Sequence, residues 1–403
     1  MPPDIDPHHD HASAGQPATA AAKVSSGASA SGRFRVVIVG GGVAALETGL
    51  ALADLAGERV SVTLLAPEPD FVYRPMAVRE PFAYAPAQRY PLRDIVAEIG
   101  AELIVDRFAW VDAPGRVAHT DTNAQIPYDA LVLASGAHAH ERYRYALTID
   151  DRHIDDQLHG LIQDVEGGYV HSLAFVMPAH KAWPLPMYEL ALMTAERAHD
   201  TSAELAVTVV TPEDAPLAIF GQGASSGVGE LLRQAGITVL TSAYAEVPRA
   251  GHVRIRPGDR ELTFDRVVAL PELLGPAIRG LPAGDDGFIP IDPYCRVHGV
   301  ADVYAAGDAT DFAVKHGGIS AQQADVVATN IASLAGAPAE PVRFTPEIHG
   351  ILLTGAKPRY LSARITGGVG FSSEISDTPS WSPPSKIDAK YLSPYLSRER
   401  VTV

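Results

Sequence analysis

The residues best suited to chemistry lie in one glycine-rich run. Gly40-Gly41-Gly42-Val43-Ala44-Ala45 follows FRVVIV (34–39) and precedes LETGLALADLAG. A buried parallel strand therefore runs into a tight turn and then a helix. Gly40 makes the turn, Gly42 leaves room for a pyrophosphate against the backbone, and Ala45 lets the helix pack close to the strand. The helix start at Val43 and Ala44 offers free N–H groups and a positive dipole end to the phosphates. A ligand-free turn can share the GxGxxA spacing. The strand before it and the helix after it make a dinucleotide site the reading here. The next strand, Val60–Leu65, should end in an acid that holds a ribose; the nearest is Glu68, two residues late. Glu68 reads equally well as a ribose contact or as a solvated loop carboxylate.

Two further stretches belong with this loop. YDALVLASGA (128–137) is a strand ending in a small, sharp turn at Ser135-Gly136. Residues 301–332 hold a strand that ends in Gly307-Asp308 and a helix that begins near Gly318-Ile319. An Asp at the carboxyl end of such a strand faces the ligand crevice of an α/β sheet, where it can accept hydrogen bonds from sugar-alcohol hydroxyls. Alone, it would read as a helix cap. The helix at Gly318 can aim N–H groups at a ligand that gains negative charge.

The chain also echoes itself. SVTLLAPEP (61–69) returns as AVTVVTPED (206–214), each after a strand and a helix-like segment, which indicates two βαβ units. Where the second unit would bind phosphate it has Pro178-Ala179-His180-Lys181-Ala182-Trp183-Pro184-Leu185-Pro186 and no glycine. A bulky, Pro-rich loop does not let a pyrophosphate lie on the backbone. Gly221-Gln222-Gly223-Ala224-Ser225-Ser226-Gly227 has the wrong spacing for such a loop; it reads as a structural loop opening a helix around Val228–Ala235.

GGGVAALE, LVLASGA and AAGDATD resemble, in order, the three nucleotide motifs of the FAD-dependent pyridine nucleotide–disulfide oxidoreductase superfamily, across about residues 33–335. PEPDFVYRPMA (67–77), PAHKAWPLPMYELALM (178–193) and KHGGISAQQADVVATNI (315–331) are similar to segments of sulfide:quinone oxidoreductases and flavocytochrome c sulfide dehydrogenases; the last also resembles type II NADH dehydrogenases. The resemblance implies non-covalent FAD held by Gly40, Gly42, Val43, Ala44, Ala45, Glu68, Arg74, Ser135, Gly136, Gly307, Asp308, Lys315, Gly318 and Ile319, with no metal. Lys315 reads as a positive charge beside the flavin's pyrimidine side or as a solvent-exposed lysine. His316 reads as a proton carrier or as a surface or core histidine. Trp183 stands near the place of the sulfide enzymes' first cysteine, and their second has no counterpart. Cys295, the single cysteine, lies in the stretch leading to Gly307-Asp308, read as strand, and looks like a small buried apolar residue. A thiol relay needs two thiols, so the flavin is expected to exchange electrons directly between a small-molecule donor and a quinone or other acceptor. No catalytic residue is assigned. An NAD(P)H dehydrogenase is the first alternative, opposed by the missing second glycine loop; a non-catalytic flavin-binding protein is another.

The elements that must position these residues fit the size of the chain. Its 403 residues, 46% hydrophobic and 20% charged, allow two to three domains with sizeable cores. A net charge of −16 disfavours nucleic acid. One cysteine excludes a disulfide framework, a thiolate zinc cluster and an iron–sulfur cluster. No secretory signal and no run of about 18–20 apolar residues is seen, so a cytoplasmic protein is expected. The expected fold is α/β: two Rossmann-like, three-layer dinucleotide-binding-type domains and a small C-terminal α+β interface region. The FAD domain would be discontinuous, 33–145 and 270–335, with a degenerate NAD-type domain at 146–269 and the C-terminal region at 336–403. Residues 1–32, including His8, His9 and His11, read as a disordered, solvated tail. Ile387, Tyr391, Leu392, Tyr395 and Leu396 share one face of a helix over 386–396 that Pro394 interrupts. It is expected to dock on the protein's own body or on a partner subunit, as in a homodimer, rather than on a membrane.

Overall fold

The computed structural model describes residues 32–179, 181–365 and 371–398. The tail reading lies outside the described residues except at Gly32. The helices in chain order are α1 (Val43–Leu55), α2 (Leu92–Glu98), α3 (Ile154–Glu166), α4 (Leu185–Asp200), α5 (Gly221–Gln234), α6 (Gly317–Leu334) and α7 (Leu392–Arg398).

The first unit is a parallel five-stranded sheet. Its strand order is Val303–Ala305, Ala130–Leu133, Phe34–Val39, Val60–Ala66 and Glu102–Val105. Ala130–Leu133 is wholly buried, as the apolar strands of a doubly covered parallel sheet must be. The order reverses beside Phe34–Val39, so a crevice opens there at the carboxyl ends of the strands. α1 and α6 pack together on one face through small residues, including Ala44, Ala45, Ala321 and Ala324. The second unit repeats the plan: Leu147–Thr148, Arg266–Ala269, Ser172–Val176, Ala206–Val210 and Thr238–Leu240 are all parallel. Each unit also carries a three-stranded antiparallel meander, over 108–127 and 244–263. The strands Glu347–Leu352, Arg359–Ile365 and Phe371–Ser376 form a third, antiparallel sheet, and α7 ends the described chain. The architecture is the expected α/β one, with a discontinuous first unit and a C-terminal α+β segment.

Three local expectations are corrected. The glycines at 221–227 are not a loop, because α5 begins at Gly221. They are the seat of a strand: a Cβ on Gly223 would lie 2.6 Å from the Ser373 carbonyl oxygen, and one on Gly227 2.5 Å from Ile375. Cys295 is not in a strand. It is fully buried at a turn in the left-handed region, with φ +59. The helix expected over 386–396 is α7 alone. Lys386 and Ile387 lie before it in non-helical chain, and Pro394 falls in its first turn, where a missing N–H costs nothing. Ile387, Leu392, Tyr395 and Leu396 are buried in the core of the first unit, so this segment docks on the protein's own body. No helix of the described residues is long and apolar enough to cross a membrane.

Candidate functional site

The predicted residues gather at the carboxyl ends of the first sheet. Gly40 has φ +124, and a Cβ there would fall 2.2 Å from the Ala134 carbonyl oxygen, so two strand-end loops cross where only glycine fits. Gly42 differs: a Cβ on it meets nothing within 4 Å, which leaves open space over the start of α1. Val43 is half-buried and Ala44 and Ala45 are buried in its first turn. Ser135 is exposed after Ala130–Leu133, and Gly136 takes φ +75. Glu68 is exposed on the bend after Val60–Ala66.

Gly307 and Asp308 form a single turn after Val303–Ala305. The Gly307 N–H donates to the Gln323 side chain at 2.7 Å, and Gly307 has φ +77 with Ala44 and Ser320 closing around it. Asp308 Oδ1 is buried without a hydrogen-bond partner. Burial pushes this carboxyl up to about 6, against the pull of the nearby Lys315 ammonium. A buried polar atom left without a partner is uncommon and marks a place where a ligand can satisfy it. Lys315 is buried, which overturns the solvent-exposed alternative. Its Nζ donates to the carbonyl oxygens of Asp308 and Thr310 and lies 3.8 Å from the Phe288 ring centre. Burial lowers it to about 8. Gly318 and Ile319 lie in the first turn of α6, whose N–H groups have no partner within the helix.

A cavity of about 490 Å³ opens between the two units. Asp308, Lys315, His316 and Gly317 line one side, Trp183, Leu185 and Leu270 another, and Lys386 with Ile387 from the C-terminal segment close it. Arg74 also lines it and pairs with Asp151 at 2.9 Å. Of the predicted residues, Arg74, Asp308 and Lys315 thus meet in the cavity. Gly40, Gly42, Glu68, Ser135, Gly136, Gly318 and Ile319 do not line it; they stand at strand ends or helix starts of the same sheet. A second cavity of about 570 Å³, near Arg296 and Asn330, holds none of them.

Three features were missed. The Lys386 ammonium donates to both carboxylate oxygens of Glu189, at 2.6 and 2.7 Å, with the Glu189 side chain wholly buried. Burial pushes Glu189 up and Lys386 down, and each is drawn back toward its charged form by the other. We take the ionised pair as the resting state, since both oxygens receive a short contact. Its traces in the sequence are a carboxylate inside the apolar run MYELALM and the Pro-x-x-Glu-like element, Pro186 to Glu189, that ends the Pro-rich loop. His316 packs its ring 4.7 Å from that of Trp183. Finally, Glu213, the acid just after Ala206–Val210, accepts from Tyr188 at 2.7 Å and from Thr211 at 3.1 Å.

These features fall within a known family. The sequence matches the family described as "Pyridine nucleotide-disulphide oxidoreductase" over residues 34–152 and 189–328, and the chain belongs to it. The match leaves out 153–188, the stretch that contains the Pro-rich loop. The chain is 28% identical over 293 residues to NADH dehydrogenase-like protein Rv1812c of Mycobacterium tuberculosis, covering 68% of this chain and 72% of the relative. Its fold is similar to that of the sulfide:quinone oxidoreductase of Aquifex aeolicus, with TM-score 0.76, 19% identity and coverage of 85% and 87% of the two chains. It is also similar to a ferredoxin reductase of Rhodopseudomonas palustris, with TM-score 0.63, 20% identity and coverage of 85% and 88%.

Proposed function

We propose that this oxidoreductase binds FAD in the first unit and passes two electrons from a small donor to a quinone or other acceptor, without a thiol relay. The observation that carries the reading is the unpartnered Asp308 Oδ1, buried where the crevice meets the cavity and suited to accept from a ribityl hydroxyl. The open space over Gly42 fits the pyrophosphate. When bound, FAD supplies the two-electron chemistry. The protein's part is positional and electrostatic. The α6 N-terminus and the Lys315 ammonium favour negative charge in the cavity. Ile387 packs against the first turn of α6: a Cβ on Gly317 would lie 2.9 Å from it, so the C-terminal segment shields that end from water.

The mycobacterial relatives' name favours a second reading, an NADH dehydrogenase. The second crevice argues against it. Glu213, the acid that would hold a ribose in this fold, is taken by Tyr188 and Thr211. The third sheet presses on the same end: a Cβ on Gly350 would lie 2.7 Å from Phe220 and 3.7 Å from Leu185. Purified protein should carry FAD, identified by chromatography of the released cofactor. Anaerobic mixing with NADH, NADPH and sulfide then decides the donor. We expect no rapid bleaching of flavin absorbance by either nicotinamide; rapid bleaching by NADH replaces this reading with the second.

A further inference from the structure

We propose that His316 takes up a proton when the flavin bound in the cavity is reduced, so that electron and proton arrival are coupled at this residue. The inference rests on the FAD reading above. His316 lines the same cavity as Asp308, Lys315 and Gly317, immediately before α6. Its ring is packed on Trp183, and its Nδ1 is buried without a hydrogen-bond partner. A buried imidazole nitrogen with no partner is an unused proton site.

The surroundings hold this ring neutral while the cavity carries no added charge. Burial, the largest cause, together with the Lys386 ammonium and His349 brings it down to about 4, with Asp388 opposing them. The positive end of α6 acts in the same direction as Lys386. The charged groups around it come from every side. Lys386 is paired with Glu189, and His349 Nδ1 lies 2.6 Å from Asp388 Oδ2. Lys315 and Asp308 stand on the crevice side. Two electrons and one proton leave a flavin ring with one negative charge. In a cavity of low dielectric, that charge favours an imidazolium lining the same space. The balance is oxidised ring, two electrons and two protons in; anionic reduced ring bearing one proton, and imidazolium, out. The reductant in the test is dithionite, and in turnover it is the donor.

The test counts protons. In weakly buffered anaerobic solution with an indicator dye, dithionite reduction of the flavoprotein should draw about two protons per electron pair between about pH 5.5 and 7, after correction for protons released by dithionite itself. His316→Gln should draw about one across the same range. Lys315 is already charged there, but Asp308 titrates within the window, so the variant is what identifies the group. Histidine-selective 15N NMR of the unmodified protein gives a second readout that survives a variant that fails to fold. One of its 15 histidines should change from neutral ring to imidazolium on reduction. An uptake of one proton in the unmodified protein, two in the variant, or no histidine becoming charged overturns the proposal while leaving the flavin reading intact. Protein that neither carries nor takes up flavin overturns both.

Discussion

Gly40 and Gly42 stand two positions apart, and a methyl group added to each meets opposite surroundings. At Gly40 it falls 2.2 Å from the Ala134 carbonyl at a φ that L-residues avoid; at Gly42 it meets open space at φ −95. Gly40→Ala should therefore destabilise the flavin-free protein by on the order of 2–3 kcal/mol. Gly42→Ala should leave that stability within about 0.5 kcal/mol yet lower the flavin-to-protein ratio, because the methyl would occupy the proposed path of the pyrophosphate. Urea unfolding and flavin absorbance measure the two effects separately. A Gly42→Ala protein with a full complement of flavin would sink the pyrophosphate assignment. The tight turn at Gly40 and the open face at Gly42 were legible because strand, turn and helix are adjacent in sequence. The Glu189–Lys386 pair was not, because its partners lie 197 residues apart and nothing local marks a lysine as buried.

The C-terminal segment shows where periodicity stops informing. Its apolar residues fit one helical face, yet two of the five, Ile387 and Tyr391, pack from non-helical chain, because burial against a folded body does not require a helix. The glycines of α5 misled in the same way, since close approach by a strand and close approach by a phosphate both ask for a missing side chain. What ends the non-helical stretch is long-range. Glu47 of α1 accepts the backbone N–H groups of Tyr391 and Leu392 at 2.8 and 2.6 Å, capping α7. Burial and the neighbouring Asp325 carboxylate on α6 push the Glu47 carboxyl up to about 8. Its folded value lies above its unfolded one, so the native state holds a proton that the unfolded chain releases. Its contribution to stability is full below the ordinary carboxylate range and is lost as pH rises toward about 8, by at most about 1.4 kcal/mol per pH unit. Urea midpoints measured from pH 6 to 9 should fall less steeply for Glu47→Gln than for the unmodified protein. Parallel curves would show that Glu47 ionises normally.

Across the whole molecule, two units are built on one plan but differ at the ends of their strands. The echo between residues 61–69 and 206–214 made the duplication visible, and the Pro-rich loop has no glycine where a second phosphate seat is expected. The third sheet that leans on that copy was not legible, because its strands carry no motif and its partners are a helix end and a phenylalanine far away in sequence. On the proposed reading, in which Tyr188 holds Glu213 and Gly350 packs on Phe220 at the end of the second unit, the flavin is the redox centre, and the single thiol offers no second. Cys295 is fully buried, and burial pushes its thiol up to about 12, far from the thiolate that attacks or relays. Native flavoprotein should therefore resist iodoacetamide and release its one thiol to a disulfide reagent only after unfolding. Once a donor is found, its rate of flavin reduction should be the same before and after prolonged exposure to the reagent. Stoichiometric labelling of the native protein, with loss of flavin reduction in step, would return a thiol to the pathway and end the case for direct transfer.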